Sequence, residues 1–295
     1  MREYCIILGM AQEDKTKIIV DATADFPPDV PVNQKITRVG VGLTLNDVAI
    51  PDSMSNAKFL EELAFYCQLN IYPKTSAQGP FPFLAALPRN NDAVIITAAR
   101  AFSRLKEDAM MAAEKKPVLV VEGIASIVNG WMAMDALEEA EKGKTGEEIA
   151  GYLEKVAAGM RVILALDTME YLREGGRAEG SKGIRSIAYA LGAFISLKPV
   201  VEVTREGLKA ELNQVQNKSR DKSLKTLKKA VMGLGKMKKG MWVHAGAEEE
   251  AAGLAGDREL LRATGLESIA IIEANKYVIS HIGPLAIAFC GETAE

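Results

Sequence analysis

The stretch KIIVDATADFP, Lys17 to Pro27, decides the fold. Lys17 to Val20 is too short for a helix and is rich in β-branched residues. It reads as a buried strand that ends at Asp21. Its apolar residues run on without alternating, which suits a strand covered on both faces. Further along the chain, Asp92 to Thr97 (DAVIIT) and Pro117 to Val121 (PVLVV) repeat the pattern, and Ile36 to Leu45 is another extended stretch. Helical spacing fills the gaps. Asn56 to Gln68 carries Phe59, Leu60, Leu63, Tyr66 and Cys67 behind Ser55 as N-cap, and Ala101 to Lys115 and Ser126 to Lys142 follow. Thr145 opens another helix, with Glu147 and Glu148 in its first turn, where the helix dipole favours acids. The order β-β-α-β-α-β-α-α predicts a parallel sheet with helices on both faces.

The second half changes character. Arg161 to Leu166 is a strand, and Ser181 to Leu191 is helical after a Gly-rich loop. Phe194 to Val203 and Leu208 to Gln216 read as strands paired around Glu206-Gly207. Helices are expected over Ser223 to Met232 and within Glu248 to Thr264. Strands are expected over Met241 to Gly246, Ile269 to Glu273, Val278 to Ile282 and Leu285 to Phe289. The fold class is therefore α/β in two domains. An α/β/α parallel-sheet domain covers residues 1–160, of which 1–16 are an extension, and an α/β mixed-sheet domain covers 161–295.

Composition narrows the function. The 295 residues are 48% hydrophobic and 25% charged, with a formal net charge of −3, so no basic excess points to nucleic acid. No apolar run approaches the ~18 residues of a membrane span. Cys5, Cys67 and Cys290 are far apart and odd in number, which suits reduced thiols in a cytoplasmic protein. With two histidines, His244 and His281, and no Cys/His ligand spacing, no metal site is expected.

Five places carry candidate chemistry. Asp21 ends a strand, the address at which open α/β sheets bind ligands, and it also suits an Asp/Thr turn. Thr75-Ser76, within YPKTSAQGP, either caps a helix beginning near Pro80 or donates two hydrogen bonds to an anion. Glu174-Gly175-Gly176-Arg177 is a flexible turn aiming a permanent cation. That cation is either a carboxylate or phosphate ligand, or the partner of a surface acid such as Glu179. His281, beside Gly283-Pro284, orients a carboxylate, acts as a base, or is structural. Lys218 to Lys239 holds nine basic residues and one acid, either a docking face or a solvated helix.

The fragments DATADFP, KTS, EYLREGGR, LKPVVEV, HAG and HIGPLAIAF occur in one order, and in that order the chain resembles the DegV family of bacterial fatty-acid-binding proteins from about Lys17 to Phe289. The resemblance implies a fatty acid in an apolar tunnel between two α/β domains. A Thr-Ser loop, a Ser-bearing second loop and a C-terminal His hold its carboxylate. It further implies a non-enzymatic carrier, with no cofactor, that presents the carboxylate to a fatty-acid kinase for phospholipid synthesis. By position, Thr75, Ser76 and His281 become head-group ligands, and Gly175, Gly176 and Arg177 the tunnel mouth or a partner contact. Asp21, Thr97 and Gly283 are further candidates.

This chain departs from the pattern in places. Thr75-Ser76-Ala77-Gln78-Gly79 stands for the usual Thr-Ser-Gln-Pro-Ser. Ala99 and Arg100 replace paired serines, and Arg104-Leu105 replace Gly-Thr. Arg100 either takes over from the missing hydroxyl as a charged donor or points to solvent. Two other functions stay open. One is a serine hydrolase or acyltransferase with Ser76 as nucleophile and His281 as base, although no G-x-S-x-G elbow supports it. The other is a diverged member binding another small anion.

Overall fold

A computed structural model of the protein describes residues 16–26, 35–88, 92–114, 116–174, 197–209 and 218–294. The expected Gly175-Gly176-Arg177 turn, the helix expected over 181–191 and the extension up to residue 15 lie outside the described residues. In chain order the first half contains β1 (Lys17–Asp21), β2 (Ile36–Val39), β3 (Gly42–Leu45), β4 (Val48–Ala49), α1 (Asn56–Cys67), β5 (Lys74–Ser76) and α2 (Phe81–Ala86). It continues with β6 (Ala93–Thr97), α3 (Leu105–Ala113), β7 (Val118–Glu122), α4 (Ser126–Glu141) and α5 (Gly146–Gly159). The second half contains β8 (Met160–Ala165), α6 (Glu170–Glu174), β9 (Val200–Thr204), β10 (Gly207–Lys209), α7 (Arg220–Met232) and β11 (Met237–His244). It ends with α8 (Glu248–Ala255), α9 (Arg258–Thr264), β12 (Ala270–Glu273), α10 (Lys276–Ile282) and β13 (Ile287–Thr293).

The apolar strands build a four-stranded parallel sheet in the order β2-β1-β6-β7. Every residue of β6 is buried, as its continuous apolar run requires. The second half builds a six-stranded mixed sheet, β10-β9-β8-β13-β11-β12, antiparallel except where β11 and β12 run together. Its strands alternate between two cores, apart from an irregularity between Met237 and Lys239 of β11. Val162, Leu164, Met241, Val243, Ala288 and Cys290 face a core shared with the parallel sheet. Ile163, Ala165, Trp242, Ile287 and Phe289 face a second core under α7, α8 and α9. Helix starts follow local chemistry. Ser55 accepts the Lys58 N–H at 3.2 Å, and Thr145 forms a capping box with Glu148.

Four expectations change. Ile36 to Leu45 is not one extended stretch: it breaks after Val39 into β2 and β3, which join different sheets. The KTS segment is not a loop but β5, the edge of a small antiparallel sheet, β4-β3-β5. Ala101 to Phe102 is a turn, so α3 starts only at Leu105. Val278 to Ile282 is helical, not a strand, because Asn275 caps it and Gly283 stops it at φ 77°.

Candidate functional site

Two short elements meet across the fold. β5 pairs with β3, placing Thr75 opposite Leu43 and Ser76 opposite Gly42. Successive side chains on a strand point to opposite faces. Thr75, half-buried, therefore faces α10, while Ser76 is exposed and lies over Gly42, where a Cβ would come within 2.4 Å of the Ser76 Oγ. His281 sits in the last turn of α10, and its Nε2 is 3.0 Å from the Thr75 Oγ1, across 206 residues of sequence. Burial pushes the imidazole down to about 4, so the ring is neutral at pH 7. In the tautomer that carries its proton at Nε2, the ring would donate to the Thr75 oxygen and leave the hydroxyl proton free for an acceptor beyond.

Tyrosines stand behind this pair. Tyr171 of α6 packs against Gly283, where a Cβ would lie 2.6 Å from its ring. Tyr72 meets Tyr171 edge to face at 5.3 Å and donates its hydroxyl to Glu170 Oε2 at 3.1 Å. Burial raises both phenols, so both keep their protons. Beside them an open cleft of about 250 Å³ is lined by Asn46, Asp47, Asn70, Tyr72, Lys74 and Glu174, among others. Glu174 is the last described residue before the expected Gly175-Gly176-Arg177 turn.

Most other candidates lie away from this pair. Asp21 lies between the ends of β1 and β6, where the strand order reverses. Its Oδ1 accepts from the Thr23 N–H at 2.9 Å and from the Thr23 hydroxyl, and its Oδ2 accepts from the Ala98 N–H at 3.1 Å. It therefore staples two strand ends. Thr97 is fully buried; its backbone carbonyl accepts the Gly123 N–H at 2.9 Å, while its side-chain Oγ1 meets no hydrogen-bond partner among the described residues. Arg100 is exposed, with Nε 2.9 Å from Glu107 Oε1, so its guanidinium is turned to a surface acid. Gly283 ends α10. Neither Thr75 nor Ser76 caps α2, whose N-cap, Pro80, makes no side-chain cap bond. In the basic run Lys225 pairs with Asp221, Lys228 with Asp257 and Arg220 with Glu250.

Residues outside the candidate list hold α10 in place. Asn275 caps it by accepting from the Tyr277 N–H at 2.9 Å and the Val278 N–H at 3.2 Å. Its Nδ2 donates back to the carbonyls of Thr23 (2.9 Å) and Ala24 (3.2 Å). Asp25 Oδ1 accepts the Asn275 N–H at 2.7 Å, and burial pushes this carboxyl up to about 7. Lys276, buried, donates to the carbonyls of Pro51 (3.0 Å) and Asp52 (2.7 Å), and the Tyr277 hydroxyl donates to Asp52 Oδ1 at 2.7 Å. The Asn at one end and Gly-Pro at the other were the readable sign of this helix.

Known proteins share this frame. The chain is 27% identical over 277 residues to a DegV domain-containing protein of Streptomyces coelicolor, covering 90% of this chain and 94% of that one. It is also 27% identical over 303 residues to one from Clostridium perfringens, covering 95% and 99%. A fatty-acid-binding DegV family protein from Thermus thermophilus superposes with a TM-score of 0.78 at 22% identity, over 95% of this chain and 99% of that one. A stearic acid-binding protein from Eubacterium ventriosum gives 0.77 at 14% identity, over 94% and 98%. The family model described as uncharacterised protein, DegV family, matches residues 15–293, and so takes in every element from β1 to β13: the chain belongs to the DegV family.

Proposed function

We propose that this protein is a non-enzymatic carrier of a long-chain fatty acid, with the acyl tail in an apolar tunnel and the carboxylate at Thr75 and His281. The observation that carries the reading is the 3.0 Å approach of Thr75 to a neutral His281. A carboxylate leaving water needs donors, and a hydroxyl backed by an imidazole N–H supplies them without a competing charge. The tail would supply the affinity: a dozen buried methylenes at ~0.8 kcal/mol each give roughly 10 kcal/mol before the cost of association. The descriptions of the Thermus and Eubacterium proteins support the same ligand class. Two domains meeting near residue 160, and hand-over of the carboxylate to a fatty-acid kinase at Gly175-Gly176-Arg177, complete the proposal. Arg100, paired with Glu107, is left out of the grip. The hydrolase alternative loses support because His281 meets Thr75, while Ser76 sits on the other face of β5.

Denaturing protein purified without added lipid, extracting it with solvent and weighing the extract by mass spectrometry tests the reading. A stoichiometric fatty acid is expected. An empty extract, followed by no binding across a fatty-acid panel, would end it. Thr75→Val should weaken retention by roughly 10- to 100-fold, the worth of one charge-assisted hydrogen bond. Ser76→Ala should stay close to the parent protein.

A further inference from the structure

Helix α10 spans Lys276–Ile282, barely two turns, and has little stability of its own. Its placement comes from what grips its ends. Asn275 uses its whole amide in two directions: Oδ1 starts the helix, and Nδ2 hooks the carbonyls of Thr23 and Ala24 behind β1. Asp25 fixes the backbone of the same residue. Asn275 thus ties the end of β1 to the start of the element that ends in His281. Hook and imidazole are six positions apart, a distance a helix transmits rigidly.

We propose that Asn275 is the positioning residue of the head-group site: its amide sets α10 against the β1 loop and so brings His281 to Thr75. This rests on the carrier reading for its ligand, but not for its geometry. A bare N-cap would be served equally by Asp, Ser or Asn. Only Asn also presents two N–H donors to the Thr23 and Ala24 carbonyls. Asp and Ser therefore separate the two roles, since both keep the cap and lose the hook.

The experiment compares Asn275→Asp and Asn275→Ser with the parent protein. Ser is neutral, so it controls for repulsion between a carboxylate and the two carbonyls. The chain has two histidines, so ring C–H resonances in lipid-free protein can be assigned with one His281→Gln variant. In the parent, His281 should not titrate between about pH 5 and 8. In both variants its midpoint should rise toward the ordinary histidine value of about 6.5, with far-UV circular dichroism unchanged. Retention of palmitate should fall about tenfold in both, the worth of one head-group hydrogen bond that a displaced His281 no longer supports. Variants with the parent's His281 titration and the parent's palmitate retention would overturn the proposal. If His281 shifts in the variants although the parent binds no palmitate, the positioning role stands and the lipid reading falls.

Discussion

At the scale of single residues, two groups withdrawn from water, Asp25 fully and His281 in part, pull stability in opposite directions with pH. His281 is held down to about 4 against an unfolded value of about 6.5, so between those values the unfolded chain binds more protons. Its contribution is lost as pH falls. Asp25 is pushed up to about 7 against an unfolded value of about 3.9, so over that range the folded chain holds more protons. Its contribution is lost as pH rises. Between about pH 4 and 6.5 the two slopes oppose each other. Asp25→Asn should therefore leave a protein whose urea midpoint climbs with pH over that window, and His281→Gln one whose midpoint falls. Parallel profiles for the two variants would contradict the assignment. The sequence pointed to Asp21 rather than Asp25. Asp21 ends β1 and Asp25 follows it, but the partners of Asp21 are local or just past the neighbouring strand, whereas Asp25 bonds to Asn275, 250 residues away. No spacing rule exposes such a bond. The pairing of Thr75 with His281 was legible only through the family resemblance.

At the scale of elements, the misread segment is α10. Val278-Ile-Ser-His-Ile282 has the β-branched composition of a strand, and its propensity was outvoted by its two ends. The C-terminal stop is Gly283, at φ 77° and ψ 168°, a region open in practice to glycine alone. The Tyr171 ring also occupies the space a Cβ would need. Gly283→Ala should cost about 2–4 kcal/mol in urea denaturation, part backbone strain and part overpacking. In a Tyr171→Ala background the overpacking part should vanish while the backbone part stays, so the penalty of the second substitution should shrink. An undiminished penalty would mean that the ring plays no part. β5 was read as a loop for a related reason: a three-residue edge strand with one half-buried residue has too little pattern to show. The long helices were legible because one-sided burial imposes a period on every turn, and the buried parallel strands because cover on both faces leaves a continuous apolar run.

At the scale of the whole molecule, the α/β class and the parallel and mixed sheets were legible from the order of apolar runs. The way the halves join was not. The first core draws Ile18 and Ile95 from the parallel sheet and Leu164, Val201 and Val243 from the mixed one. Polar ties reinforce it: Lys239 of β11 reaches Asp135 of α4 at 2.7 Å and lies over the Trp131 ring at 4.4 Å, and Arg205 donates to the Glu122 carbonyl at 2.6 Å. Two domains that unfold independently and two that share one core make different forecasts for unfolding. The chain's two tryptophans can decide between them, because Trp131 reports on the first half and Trp242 on the second core. Separating the halves would expose core residues from both sheets at once, a cost that a domain of this size cannot meet from its few kcal/mol of net stability. The single-tryptophan variants Trp131→Phe and Trp242→Phe should therefore unfold in urea along coincident fluorescence curves, once each is corrected for its own loss of stability against circular dichroism. Curves that separate within one variant, with fluorescence leading or trailing circular dichroism, would show two domains unfolding in turn. Coincidence would also bear on function: a site built from β5 on one side and α10 on the other can hold a 3.0 Å approach only if the halves move as one body.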